Sequence, residues 1–499
     1  MVRYTKTALP VLNNLHEASY HVRTALTFLI ILIVYGLVIV TTALFAPLRL
    51  GEILQAAAFL NFSWGGFFNW IAQSPGGTPL HYLVQLPLAF MALDSRILLR
   101  IPSLISGLFA AVLFLALAKR VPLQHPLLGL LLFLLVPTHL AYATQGRPYE
   151  MALLLMLAAT LVFFSLIEEP SLGKAIIYAI ALTACLFTQP SSYLPAVGYV
   201  ICLLGFANLK KYRLALWYAL AATVLPLAVY GPYYGWAGPL RRGDWLIDQF
   251  PAYASKVIGL EALMSLDPGG WNPWYGLALM GLLIFALVGG VWSAMPLGSF
   301  HEGAPPPPAN VLRKRAVVFC LAGGALVTFL GETAVNGWAN AAFAPYQVLW
   351  ALPGFCIVFC AALDELSRLF AWRSLRVLGL AICVVAILLC IPGDVEYLTT
   401  QPPDMAKLTE LVRPQLTGDA CVVFVSQRLS RYLFEVFDQS LSVNECQNFF
   451  HKRVVLAIHP FVRADQERDA RVFFRGLDFD ETNRKVSGEG KVITLTSQR

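Results

Sequence analysis

Glu52 is the only acidic residue between Arg23 and Asp94, and it follows closely on a long apolar run. Apolar neighbours make a carboxylate more basic, which suits it to take a proton from a hydroxyl group. The plainer reading is a solvated glutamate at a membrane interface. A second cluster, Gly76-Gly77-Thr78-Pro79-Leu80-His81-Tyr82, opens the next apolar run. Pro79 suits the first turn of a helix, and Thr78, His81 and Tyr82 would then set donors at a helix N-terminus, where anions are favoured. Most such clusters are only caps. A third, Gln145-Gly146-Arg147-Pro148-Tyr149-Glu150, is a polar knot between two apolar runs. Arg147 there is either an anion ligand or the ion-pair partner of Glu150.

Three further groups are weaker. In Arg96-Ile97-Leu98-Leu99-Arg100-Ile101-Pro102-Ser103 the arginines read as snorkelling anchors. The segment 236–273 carries Arg241, Arg242, Asp244, Trp245, Asp248, Lys256, Asp267 and Trp271, with Trp274 directly after it. Rings mixed with both signs of charge suit a carbohydrate, and equally an interfacial aromatic belt. Tyr346 stands at the mouth of a late apolar run. No metal-ligand spacing, phosphate loop or nucleophile elbow occurs. Without a cluster of acidic ligands, a divalent metal is not indicated.

The elements that must position these groups are membrane helices. The 499 residues are 58% hydrophobic and 13% charged, with a mean hydropathy of +0.66. A soluble domain is about a quarter charged, whereas a bilayer core penalises every ionised group by several kcal/mol. The run from Thr24 to about Ala46 suffices to cross a core of ~30 Å. Further runs fall near 80–93, 101–118, 126–143, 149–167, 175–188, 191–207, 214–235, 274–295, 316–331, 342–363 and 376–391. The fold class is therefore an all-α polytopic membrane protein.

Lys119-Arg120, Lys210-Lys211-Arg213, Arg313-Lys314-Arg315 and Arg368/Arg373/Arg376 mark the cytoplasmic side, as do the basic residues of the N-terminus. The net charge of +7 is accounted for by such loops; no basic stripe interleaved with aromatics suggests nucleic acid. One conflict stands out. Two full crossings between 78 and 118 would put Lys119-Arg120 on the wrong side, so one run is not a crossing or a later helix is broken.

Segment 47–77, with Phe59, Phe62, Trp64, Phe67, Phe68 and Trp70, reads as short interfacial helices. Beyond residue 398 the chain is ordinary soluble sequence. Strand-like runs at Ala420–Ser426, Arg453–Ile458 and Lys491–Thr496 alternate with helical spacing at 404–416, 427–439 and 464–477, which suggests a small α/β domain. Seven of the nine cysteines lie in apolar runs; Cys421 and Cys446 lie in the tail and would be a disulfide candidate if it faces an oxidising compartment.

In their order along the chain, these motifs resemble those of the class C (GT-C) membrane glycosyltransferases. The likeness is to family 39-like bacterial relatives of the protein O-mannosyltransferases and of the lipid A aminoarabinose transferase. Leu50-Gly51-Glu52 stands where that family has an acidic pair after the first span. Pro79-Leu80-His81-Tyr82, Arg100-Ile101-Pro102-Ser103, Arg147-Pro148-Tyr149 and Tyr346 follow in the family's order, over nearly the whole chain. Two departures are plain: Gly51 replaces the family's Asp, and Thr78 replaces a residue that is often Lys.

The resemblance implies a GT-C fold of roughly 11–13 transmembrane helices over residues 1–397, with interfacial helices in the first outer loop and an extracytoplasmic α/β domain over 398–499. It implies an inverting glycosyltransferase of a bacterial inner membrane, its N-terminus cytoplasmic. The sugar would pass from a polyprenyl phosphate to a hydroxyl of a glycan, lipid or protein acceptor on the extracytoplasmic face, with no cofactor required. Glu52 would be the general base. His81, Tyr82, Arg147, Tyr149, Tyr346, Lys256, Arg241 and Arg242 would hold the donor phosphate and sugar. The alternatives are a flippase for lipid-linked sugars and a non-catalytic assembly partner of the same fold.

Overall fold

The structure is a computed structural model that describes residues 8–46, 55–59, 63–73, 78–91, 96–121, 125–205, 210–237, 316–328, 349–369 and 380–388. It also describes the strand segments 420–425, 453–458, 479–487 and 490–497, and a few isolated residues such as Leu48 and Glu52. Everything structural below concerns these residues.

Helix α1 runs Ala8–Phe45, and its apolar part, Val22–Phe45, is long enough to cross a bilayer. Leu26, Ile30, Ile33 and Leu37 on it are about half exposed, while Tyr35, Ile39 and Ala43 are buried. An apolar stripe turned outward is what a lipid-facing helix shows, since lipid and not water is its solvent. A 3-10 turn at Ala57–Phe59 and helix α2 (Trp64–Gln73) then fill the segment expected to form short helices.

Helices α3 (Leu80–Met91) and α4 (Arg96–Arg120) resolve the conflict over residues 78–118. At 1.5 Å per residue the twelve-residue α3 rises about 18 Å, too little to cross a ~30 Å core by itself. Only α4, which ends on Lys119-Arg120, has spanning length there.

The next apolar run is broken by a bend. Helices α5 (Pro126–Leu134) and α6 (Pro137–Ala143) meet at 64°. The cause is local: Pro137 cannot donate to the preceding turn, and it holds Val136 extended at φ −68° and ψ 121°. The break aims α6 into the interior, where all seven of its residues are buried.

Helices α7 (Tyr149–Glu168), α8 (Leu172–Thr188), α9 (Leu194–Leu204) and α10 (Lys210–Ala237) follow. Later come α11 (Ala316–Thr328) and α12 (Leu352–Leu369). One core unites them, with Phe114 stacked on Phe133 at 4.6 Å and Phe163 tilted against Tyr199 at 5.2 Å. By length and apolarity, four described helices can each cross a membrane, or five spans if the bent α5–α6 pair counts as one. The chain is a multi-pass helical membrane protein.

The C-terminal strands form one sheet in the order β1-β2-β4-β3. Strands β1 (Ala420–Val425) and β2 (Arg453–Ile458) are parallel, as a crossover between strands requires. Strand β4 (Gly490–Ser497) pairs antiparallel with β2 and with β3 (Phe479–Ser487). Three strands match the sequence expectation. The fourth, β3, was not expected because FDETNRKVS is mostly polar; it is an edge strand, where charged residues are favoured. The helical stretches expected at 427–439 and 464–477, and Cys446, lie outside the described residues, so the Cys421–Cys446 pairing does too.

Candidate functional site

The site grows from the C-terminal end of α1. A helix ends with carbonyls that have no partner within it. Here Arg100, from the first turns of α4, donates through Nη1 to the carbonyls of Ala43 (2.7 Å) and Ala46 (2.8 Å). Its charge thus sits at the negative end of the α1 dipole. The other side of the guanidinium grips Glu52: Nε to Oε1 at 2.7 Å and Nη2 to Oε2 at 2.8 Å. Glu52 Oε1 also accepts the Gly146 amide at 2.7 Å.

Both side chains are 1% exposed. Burying two charges is costly unless the pair is bidentate and its remaining hydrogen-bonding groups are met; both conditions hold. The snorkelling reading of Arg100 is therefore overturned, because its guanidinium is buried against Glu52 and the end of α1. The surroundings expected for Glu52 also differ, since it sits in an ion pair and not among apolar groups alone.

The loop between α6 and α7 is the second part. Gly146 donates to Glu52 while its carbonyl accepts Gln85 Nε2 of α3 at 3.1 Å. Gln85 also donates to the Leu99 carbonyl at 2.6 Å and accepts Gln55 Nε2 at 2.6 Å. The Arg147 carbonyl accepts Ser103 Oγ of α4 at 3.0 Å. Glycine is required at 146 by close approach: a Cβ there would lie 2.8 Å from the Leu99 carbonyl oxygen.

With its backbone fixed on three sides, the loop presents the half-buried Arg147. The guanidinium donates to the Tyr149 hydroxyl at 2.7 Å and lies 5.2 Å from the centre of that ring. Glu150 does not pair with Arg147; its contact is His139 Nε2 at 3.5 Å.

His81, in the first turn of α3, is fully buried beside the Gly146 backbone. Neither of its ring nitrogens has a hydrogen-bond partner. Tyr82 turns instead into an aromatic group with Phe59 (6.3 Å) and Phe67 (6.4 Å). Thr78 bonds the Thr188 carbonyl at 2.7 Å, tying the start of α3 to the end of α8.

Of the residues expected at the site, the structure gathers Glu52, His81, Arg147 and Tyr149 around the 144–148 loop. Tyr82 sits beside His81 but faces the rings. Tyr346, Lys256, Arg241 and Arg242 lie outside the described residues.

Sequence reasoning passed over Gln55, Gln85 and Gly146, and underrated Arg100 and Ser103. Gln85 had one usable signal: it is the only strongly polar residue inside the apolar stretch 83–93, and buried amides must find partners.

No protein-family model matches the chain, and no curated protein matches it by sequence. Solved structures do match. ArnT from Cupriavidus metallidurans in the apo state is 12% identical, with 95% of this chain and 98% of that one covered at a TM-score of 0.55. ArnT of the same organism bound to undecaprenyl phosphate is 14% identical, with 94% and 97% covered at the same TM-score. Likeness at such identity is a likeness of architecture, and it extends over almost the entire length of both chains. The expected fold is therefore found: this chain has the GT-C fold of the membrane glycosyltransferases.

Proposed function

We propose that the chain is a glycosyltransferase that moves a sugar from a polyprenyl phosphate to an acceptor hydroxyl. The observation that carries this reading is the pinned 144–148 loop, which holds Arg147 against Tyr149, with the buried His81 against its Gly146 backbone. These groups supply the cation and donors that a phosphate monoester leaving group needs. The fold supports it as well, since one ArnT structure of this architecture holds undecaprenyl phosphate.

In the proposed reaction the acceptor oxygen attacks the anomeric carbon. The bond from that carbon to the phosphate oxygen breaks with inversion, and the electron pair leaves on the lipid phosphate. The acceptor proton passes to Glu52. Arg147, Tyr149 and His81 stabilise the departing phosphate, with Tyr82, Tyr346, Lys256, Arg241 and Arg242 as further donor-binding groups. The site faces the extracytoplasmic side of a bacterial inner membrane, with the N-terminus cytoplasmic and residues 398–499 forming the outer domain. The acceptor is a glycan, a lipid or a protein.

Glu52 enters this scheme with a constraint. Its carboxylate already accepts at least three hydrogen bonds, two of them from a guanidinium, and the paired cation favours the ionised form and so opposes proton uptake.

The same pairing favours a second reading, in which Glu52 is a structural keystone and another group takes the proton. A single Glu52→Gln variant cannot separate the two readings, because it strands a buried arginine. The neutral pair Glu52→Gln with Arg100→Gln can. For a base, the pair folds and binds undecaprenyl phosphate, but turnover in proteoliposomes carrying lipid-linked sugars falls by about 10²–10⁴. Turnover restored by the double replacement would sink the base assignment and leave the keystone.

A further inference from the structure

A second buried polar cluster lies deeper along the same helix. Arg100, Ser103 and Gly107 follow one another at i, i+3 and i+7 on α4 and so share a face, with about 10 Å of axial rise from first to last. At Gly107 three elements converge. A Cβ there would lie 3.1 Å from the Ala143 Cβ, 3.2 Å from the Tyr35 hydroxyl and 3.7 Å from the Glu150 Cγ. Against this gap sit Tyr35 of α1, His139 of α6 and Glu150 of α7. The Tyr35 hydroxyl is 3.0 Å from His139 Nδ1, and His139 Nε2 is 3.5 Å from Glu150 Oε1. His139 and Glu150 are both fully buried, and the Phe133 ring closes edge-on over the imidazole at 4.2 Å. Neither Glu150 oxygen and not His139 Nε2 has a hydrogen-bond partner.

Such a cluster is costly where an apolar trio would fill the same space, and ionisable groups kept at membrane depth are by default functional. Its place in the chain says which function. His139 lies just before the 144–148 loop and Glu150 just after it, so their contact closes the loop at its base. The loop's other ties, from Glu52, Gln85 and Ser103, all act on Gly146 and the Arg147 backbone.

We propose that Tyr35, His139 and Glu150 form a positioning clamp that fixes the 144–148 loop from beneath, and so sets Arg147 for a phosphate group. A single proton shared between His139 and Glu150 keeps the pair neutral overall and lets it act as a hydrogen-bonding contact. The clamp is a feature of the loop itself; only its service to a lipid phosphate rests on the proposed transferase reading.

The test uses the full chain in nanodiscs and reads two quantities. Amide hydrogen exchange at Gly146 reports the clamp, and affinity for undecaprenyl phosphate reports its use. Glu150→Gln, whose amide can still donate to His139 Nε2, is expected to exchange within about twofold of the parent. Glu150→Leu is expected to speed Gly146 exchange about tenfold or more, with α1 and α4 unchanged. It should also weaken undecaprenyl phosphate binding to the level of Arg147→Ala, with no further loss when the two are combined. Tyr35→Phe, which removes only a hydroxyl, should speed exchange about two- to threefold and serves if Glu150→Leu fails to fold. Parental exchange in both Glu150→Leu and Tyr35→Phe overturns the clamp, as does a Glu150→Gln variant as loose as Glu150→Leu. A parent that binds no undecaprenyl phosphate overturns the transferase reading, while the exchange data still decide the clamp.

Discussion

Two buried carboxyl groups face the same side of helix α4, and they are held in opposite ways. Glu52 is saturated: a bidentate arginine, a backbone amide and, through Arg100, two carbonyls at the end of α1 form one closed network. Glu150 is not: its one close polar contact is an imidazole at 3.5 Å, and both its oxygens lack hydrogen bonds. Both are sealed from solvent. The difference lies in what each must hold. Glu52 joins three separate elements, and its charged and backbone donors hold them together. Glu150 closes one loop, where a looser contact between neighbours in the chain is enough. Burial alone therefore says little about a carboxylate's role; the number and charge of its donors say more.

The comparison can be broken most severely at its saturated end. Arg100→Met should cost about 3–5 kcal/mol, because it strands the Glu52 charge and uncaps α1; thermal denaturation in detergent measures this. A loss below about 1 kcal/mol would mean that the pair is not a keystone.

Gln85→Leu should cost about 1–3 kcal/mol, since it leaves the Leu99 and Gly146 carbonyls unmet. The same melts would show it, and parental stability would mean that the loop is held elsewhere. Gly146→Ala should cost about 1–3 kcal/mol through the clash with the Leu99 carbonyl. It should also lower undecaprenyl phosphate affinity, which separates a loop effect from general loosening.

At the unsaturated end, Tyr35→Phe should cost only about 0.5–1.5 kcal/mol. If it proved as damaging as Arg100→Met, the contrast between the two clusters would collapse.

How much of this was legible beforehand can be judged residue by residue. The apolar runs gave α7, α8, α10 and the apolar part of α1 nearly to their ends, because lipid imposes a uniform demand on composition that any window can read; they did not show that α1 starts as early as Ala8. The conflict at 78–118 was visible as a charge parity problem. Its resolution needed the length of α3, which depends on where a helix starts and stops. Glu52, His81, Arg147 and Tyr149 stood out because polar groups are rare here. Arg100 was visible but misread, because a lone arginine near a helix end looks the same whether it reaches out to headgroups or inward to a carboxylate.

The amino-acid sequence by itself determined that this chain lives in a bilayer, which stretches are apolar enough to lie in it and which few polar residues deserve a role. These are properties of composition and spacing, written locally. Only the tertiary structure decided partners: that Arg100 caps α1 and grips Glu52, that Glu150 turns to His139 and away from Arg147, and that Gly146 must be glycine. Residues 94 positions apart, such as Glu52 and Gly146, meet through the packing of several helices, and no local pattern records that meeting.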